Sequence, residues 1–222
     1  MTTELVVLDM AGTTVADDGL VVQAFTAAIE SVGVPGEKYP EMLRYVLDTM
    51  GQSKITVFRA LLPTETEAQQ ANSAFEAAYG DLVRAGECRP IPGAEDVIRG
   101  LRESGVKVAF TTGFASVTQQ AILDALGWAG LADVALAPGD GVRGRPFPDL
   151  VLTAALRLEV TDVRRIAVVG DTASDVLCGL RAGASVVAGV LTGAGRREDF
   201  LEATHVLDSV SELPAVLEGE PR

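Results

Sequence analysis

The sequence is poor in the residues that most often announce a function. It has one histidine, two cysteines and only three lysines, at positions 38, 54 and 107. His205 stands alone in "THVLDS", far in sequence from the other candidate groups, so it supports no histidine-based triad and reads as structural. Cys88 and Cys178 lie far apart and Cys178 sits within an apolar helical stretch, which argues against a disulfide framework and points to a cytoplasmic chain. Basic residues number 18 against 31 acidic ones, a formal net charge of -13. Non-specific binding to nucleic acid or to anionic membranes depends on basic patches, so neither is an expected partner. No apolar run approaches the roughly 20 residues of a membrane helix, and "MTTELVVLDM" lacks the basic start and long apolar stretch of a signal peptide. Small molecules or proteins are the expected partners.

What is present is a rhythm. The chain of 222 residues is long enough for one core carrying a smaller accessory domain. Short β-rich runs fall at 4–9, 106–112, 134–138, 165–171, 184–193 and 205–209, with helical patterns at 94–104, 116–126, 147–158, 173–182 and 211–217. Continuous Val, Ala, Leu and Ile strands, each followed by a helix, predict an α/β fold with a parallel sheet covered on both faces. Residues 16–86 break the rhythm with helical patterns and no convincing strand, as expected of an inserted all-helical cap. "VADDG" (15–19) and "GECRPIPG" (86–93) are expected as loops at its edges.

Ligands of open parallel sheets bind outside the carboxyl ends of the strands. The first strand ends at Asp9, the second core strand in Thr111-Thr112-Gly113, and the strand at 165–171 in Gly170-Asp171, with Asp175 four residues on. Asp171 and Asp175 can face one point across a strand-to-helix turn, and carboxylate oxygens are what Mg²⁺ takes. The plainer alternative makes Asp171 a helix N-cap and Asp175 a solvated charge. Against it, Asp9 is expected at a neighbouring strand end, and three carboxylates at a buried edge repel unless a cation joins them. A carboxylate such as Asp9 can also attack phosphorus, with the Thr111 hydroxyl and the cation of Arg145, in "GRPFPDL", holding phosphoryl oxygens. "GVLTGAG" (189–195) lacks a full dinucleotide fingerprint and reads as a loop beside the site, and Trp128 reads as packing.

In this set the chain resembles the haloacid dehalogenase superfamily. "VVLDMAGTT", "VAFTTG", "GRPFP" and "VVGDTASD" are similar to its four motifs, in order, across nearly the whole chain. The resemblance implies a Rossmann-like catalytic core (1–15 and 87–222), a mobile helical cap (16–86), Asp9 as nucleophile and Mg²⁺ as cofactor. It places the metal site at Asp9, Ala11, Asp171 and Asp175. Phosphatases of the superfamily carry a second Asp two residues after the nucleophile, as general acid for the leaving alkoxide; here that residue is Ala11. The phosphonatase-like subgroup also has Ala there, and expels its carbon leaving group into an imine formed by a cap lysine. "MGQSKITVFRAL" is similar to the subgroup's lysine segment, which nominates Lys54, with Met50 and Gly51 at matching positions and Thr112 and Gly113 as substrate contacts. The chain departs from that pattern at Val57, where a His is usual, at Phe114, where a Tyr is usual, and in "ADDGLVV", which lacks a Cys and a Pro.

The expected activity is Mg²⁺-dependent hydrolysis of a small phosphonate or phosphorylated carbonyl compound, through an aspartyl phosphate and a lysine imine. Two other readings stay open: a phosphomonoesterase in which Lys54 only contacts an anionic substrate, and a non-catalytic binder of phosphoryl ligands. A cap with apolar helix faces on its surface would favour a homodimer.

Overall fold

The computed structural model describes residues 2–139 and 141–219. The apolar run Leu5–Asp9 forms β1, buried along its whole length. Val15–Ala16 (β2) follows, then four helices, Leu20–Ser31 (α1), Tyr39–Asp48 (α2), Lys54–Leu61 (α3) and Glu65–Arg84 (α4). The chain returns through Arg89–Pro90 (β3), Ala94–Glu103 (α5), Lys107–Thr111 (β4), Ser116–Ala125 (α6) and Val134–Leu136 (β5). Asp149–Arg157 (α7), Ile166–Gly170 (β6), Ala173–Ala182 (α8), Val186–Val190 (β7), His205–Leu207 (β8) and Leu213–Gly219 (α9) complete it. Among the described residues no helix is long and apolar enough to cross a membrane.

Six strands form one parallel sheet in the order β5-β4-β1-β6-β7-β8. The order reverses at β1, which has β4 on one side and β6 on the other, so the crevice that a parallel sheet opens at its switch point lies at Asp9. Register brings Asp9 level with Thr111 and sets Leu8 against Val169, one residue short of Gly170. Strand alternation then divides the core: Val6, Leu8, Phe110 and Val169 pack with Ile98 of α5 and Ile122 of α6, whereas Leu5, Val7, Ala109 and Val168 pack with Leu150 of α7 and Cys178 of α8. Both faces are apolar because both are covered, which is why these strands read as unbroken hydrophobic runs. Trp128 is packing, as expected: its ring is 2% exposed and stacks on Phe110 at 5.8 Å.

The inserted helices form the cap. The apolar stripe Leu20, Val21, Ala24, Phe25, Ala28, Ile29 faces inward on α1, and Ala68, Ala71, Phe75, Tyr79, Val83 does so on α4. Thr64 starts α4 by accepting a hydrogen bond from the Glu67 N–H at 3.2 Å. One expectation needs correction. The segments at the base of the cap are not plain loops: Val15 pairs with Pro90 and Ala16 with Arg89 in a two-stranded antiparallel ribbon. The residues there carry little β signal, and the pairing exists because the outgoing and returning chains must cross the core boundary side by side.

The cap rests on the core through backbone contacts that only glycine permits. A Cβ on Gly113 would lie 2.5 Å from the Gln52 carbonyl oxygen and 2.8 Å from that of Gly51, and one on Gly144 would lie 2.9 Å from the Ser53 Cβ. Gly113→Ala should therefore lift the cap, because the obstacle is backbone and cannot rotate away. Amide exchange at residues 50–54 should rise several-fold in this variant while exchange in β1 and β4 stays as in the wild type; equal protection throughout would refute the contact.

Candidate active site

Asp9, Asp171 and Asp175 come together at the switch point, each with one carboxylate oxygen within 4.8 Å of the others, and each is 5% exposed or less. The plainer alternative fails on geometry. The N-cap of α8 is Thr172, not Asp171, and Asp175 is buried. Thr172 and Asp175 form a capping box: the Thr172 N–H donates to Asp175 Oδ2 at 3.1 Å, the Asp175 N–H to Thr172 Oγ1 at 3.3 Å, and the Thr172 hydroxyl lies 2.5 Å from Asp175 Oδ2. This box fixes one Asp175 oxygen and leaves Oδ1 to pair with Arg145.

Asp171 is held by two loops. The Thr13 hydroxyl donates to its Oδ1 at 3.3 Å and the Ala194 N–H to its Oδ2 at 2.8 Å. The Thr192 hydroxyl donates to the Gly12 carbonyl at 2.6 Å and so ties those loops together. A Cβ on Gly12, where φ is +88°, or on Gly193 would run into the Asp171 carboxylate. The segment 189–195 is thus a loop beside the site, as expected, and its part in orienting Asp171 was not foreseen. The glycines of "GVLTGAG" were its only trace in the sequence.

One cation faces this group directly. Arg145 is 4% exposed; its Nη2 lies 2.6 Å from Asp9 Oδ1 and its Nη1 pairs with Asp175. Its Nε and Nη2 have no aligned hydrogen-bond acceptor among the described residues. Buried guanidinium N–H groups left in that state fit an oxyanion such as a phosphoryl group. Three carboxylates against one guanidinium leave negative charge in excess. Burial pushes the Asp9 carboxyl up to about 6, against the pull of Arg145 and with the push of Asp175. Burial, then Asp9 and Asp175, raise Asp171 as well. An all-oxygen donor set with surplus negative charge fits a hard divalent cation, and Ala11, with no ligating side chain, can offer it only a backbone carbonyl.

Asp9, Ala11, Thr112, Gly113, Phe114, Arg145, Asp171 and Thr172 of the core and Val21, Met50, Gly51 and Lys54 of the cap line one small cavity of about 30 Å³. Of the catalytic, substrate-binding and metal residues expected from the sequence, all line it except Thr111 and Asp175. Thr111 is buried beside Asp9 in the sheet register, and its neighbour Thr112 reaches the cavity instead. Val57 does not line this cavity; it is 4% exposed in the cap interior. Lys54 opens α3, and its N–H donates to the Gly113 carbonyl at 3.2 Å. The residue is half-buried, yet its ammonium is enclosed enough that desolvation pulls it down to about 8; Asp17 opposes this most strongly and Arg145 assists. Asp17 was not singled out from the sequence, where it is one acid among many.

A parallel sheet with the nucleophile-type Asp at its switch point, a four-helix insertion after strand one and a buried Asp triad identify the fold. The chain belongs to the haloacid dehalogenase-like hydrolases. The model of that family matches residues 3–183. Among curated relatives, phosphonoacetaldehyde hydrolase of Bacillus cereus (strain G9842) is 31% identical over 229 residues, covering 95% of this chain and 84% of the relative. The enzyme of the same name from Bacillus thuringiensis (strain Al Hakam) is 32% identical over 231 residues, covering 94% and 83%. Among solved structures, a phosphonoacetaldehyde hydrolase like protein from Oleispira antarctica superposes with a TM-score of 0.82 at 26% identity, covering 100% of this chain and 96% of that one. As a haloacid dehalogenase-like hydrolase the protein is an enzyme, which sets aside the reading of a non-catalytic binder.

The raised Asp9 carboxyl sets a pH dependence. Its folded value, about 6, lies above the ordinary 3.8, so the folded state holds the proton more tightly. The stability this contributes is complete below about 3.8 and is lost as pH rises through about 6. The cation-free protein should therefore show a falling melting temperature between pH 4 and 7, approximately, and a divalent cation should stabilise it more at pH 7 than at pH 5. A cation effect independent of pH would contradict this account.

Proposed function

We propose that the protein is a Mg²⁺-dependent phosphonatase-like hydrolase of a small phosphonate or phosphorylated carbonyl compound, with residues 1–15 and 87–222 as catalytic core and 16–86 as cap. The observation that carries this reading is a single one: the cavity that holds Asp9 has Ala11 where an acid would protonate an alkoxide, and Lys54, an amine with its affinity for protons lowered, in its wall. A carbon leaving group needs an electron sink rather than a proton on oxygen, and a lysine imine is one.

The Lys54 amine condenses with the substrate carbonyl, releasing water and forming an imine. Arg145 and, at the strand end, Thr112 rather than the expected Thr111 hold the phosphoryl oxygens, and Met50, Gly51 and Gly113 border the organic part. The Asp9 carboxylate attacks phosphorus; the carbon–phosphorus bond breaks and its electron pair passes into the imine, leaving an enamine. Water then hydrolyses the aspartyl phosphate, and the protonated enamine is hydrolysed from Lys54. Asp9, Asp171, Asp175 and the Ala11 carbonyl would hold Mg²⁺, which would neutralise charge on the carboxylates and the transferring group. The lowered proton affinity of Lys54 supports the first step, because a lysine of ordinary pKa, about 10.4, holds almost no free amine at pH 7.

Val57 supports a second reading. Buried in the cap interior, it cannot relay the protons of imine formation, as a phosphomonoesterase without imine chemistry would not require. Borohydride reduction in the presence of phosphonoacetaldehyde separates the two: an adduct at Lys54 in the wild type, absent in Lys54→Arg, is the expected result. Turnover of phosphate esters with no adduct would transfer the assignment to the second reading. Ala11→Asp should raise phosphate-ester hydrolysis by roughly 10²-fold, the effect of a general acid, without a comparable gain in carbon–phosphorus cleavage. Rate measurements on both substrate classes check this.

A further inference from the structure

The environment of the Lys54 amine is set by two rings that belong to different halves of the molecule. Phe75 comes from α4 of the cap, Phe114 from the core loop after β4, and both are 2% exposed or less. Their centroids are 6.1 Å apart, and the Lys54 Nζ lies 6.0 Å from the Phe75 ring and 5.4 Å from that of Phe114. Among the described residues Lys54 is in no ion pair within 4.0 Å, and the two rings place apolar bulk beside its ammonium. Phe114 cannot swing freely, because the Tyr79 ring lies against it at 4.5 Å and the preceding Gly113 carbonyl accepts from the Lys54 N–H at 3.2 Å. On the cap side the lysine borders an apolar hollow of only about 10 Å³, shared with Val57, Phe58 and Phe75. That is barely the space of one water, and apart from Thr49 and Lys54 itself its walls are apolar.

We propose that Phe75 and Phe114 are positioning residues, a two-ring cradle assembled from cap and core that holds the Lys54 amine at the cavity and strips it of water only while the cap rests on the core. This rests on the reading of Lys54 as the group that meets the substrate carbonyl. The charged groups facing the amine are Asp17 at the start of α1, whose Oδ1 accepts from the Val21 N–H at 3.2 Å, and Arg145, Asp9 and Asp171 of the core. Asp17, Asp9 and Asp171 favour the ammonium and Arg145 disfavours it, so the enclosure by the rings decides how much free amine exists near neutral pH. Cap closure and amine activation thereby become one event: when Phe75 and Phe114 separate, water returns to Nζ.

The test is the pH dependence of Lys54 acylation by an amine-reactive anhydride in the full chain, read by peptide mass, alongside kcat and KM for phosphonoacetaldehyde. Phe114→Leu and Phe75→Leu should each raise the labelling midpoint by about one pH unit, a roughly tenfold loss of free amine at pH 7, with kcat falling more than KM rises. Phe114→Tyr keeps the ring and should keep the midpoint, and Gly113→Ala, which lifts the cap, should raise it as the Leu variants do. Phe114→Met, close in volume and without a ring, serves if the Leu variants do not fold. Folded ring-free variants with an unchanged or lowered midpoint would overturn the cradle. A raised midpoint in a protein that borohydride never traps would leave the cradle standing and remove the imine reading, so the two failures are distinguishable.

Discussion

Everything at the site follows from burying three carboxylates around one guanidinium. Asp9, Asp171 and Asp175 are each nearly inaccessible, and Arg145 pairs with two of them. Removing charges from water is expensive, and like charges in a confined space raise the expense further. The surrounding structure is shaped to contain it: a capping box for Asp175, two loops with glycines pressed on Asp171, and a sheet switch point that delivers Asp9. An arrangement so unfavourable by itself makes physical sense as a receptor for a cation and an oxyanion, which complete the charge balance together.

The cap supplies what the core lacks. Ala11 brings no titratable side chain to the cavity, and the cap brings the Lys54 amine to it. Bringing it there requires that the segment around Gly51 and Gln52 approach Gly113 backbone to backbone, which a side chain at 113 would block. The aromatic series Phe25, Phe58, Phe75, Tyr79 of the cap extends to Phe114 of the core, which makes the seam apolar as well as close. A polar site thus sits directly against an apolar wall, and burial there lowers the proton affinity of Lys54 against the opposing effect of Asp17, Asp9 and Asp171.

Much of this was legible in the chain. The core strands are short apolar runs because a doubly covered parallel sheet buries both faces, and their ends carry Asp9, Thr111, Thr112 and Asp171 because the carboxyl edge is where such a sheet meets solvent and ligand. Less legible were the groups whose importance comes from neighbours distant in sequence. Thr192 and Ala194 act on Gly12 and Asp171 across about 20 to 180 residues of separation, with no local pattern to announce it. The ribbon of Val15–Ala16 with Arg89–Pro90 was invisible because two residues and a proline carry no strand periodicity. Phe75 read as one more core position of an amphipathic helix, and nothing in α4 itself says that its ring faces a lysine.

The sequence by itself determined the order of strands and helices, the inserted cap and the list of chemically capable residues, since periodicity and residue type are local properties. Only the tertiary structure decided which of them share a cavity, which carboxylate oxygen each partner holds, and how dry the lysine is. Those depend on strand order, on register and on contacts between cap and core, where separations of a few ångströms set the electrostatics and sequence distance carries no information.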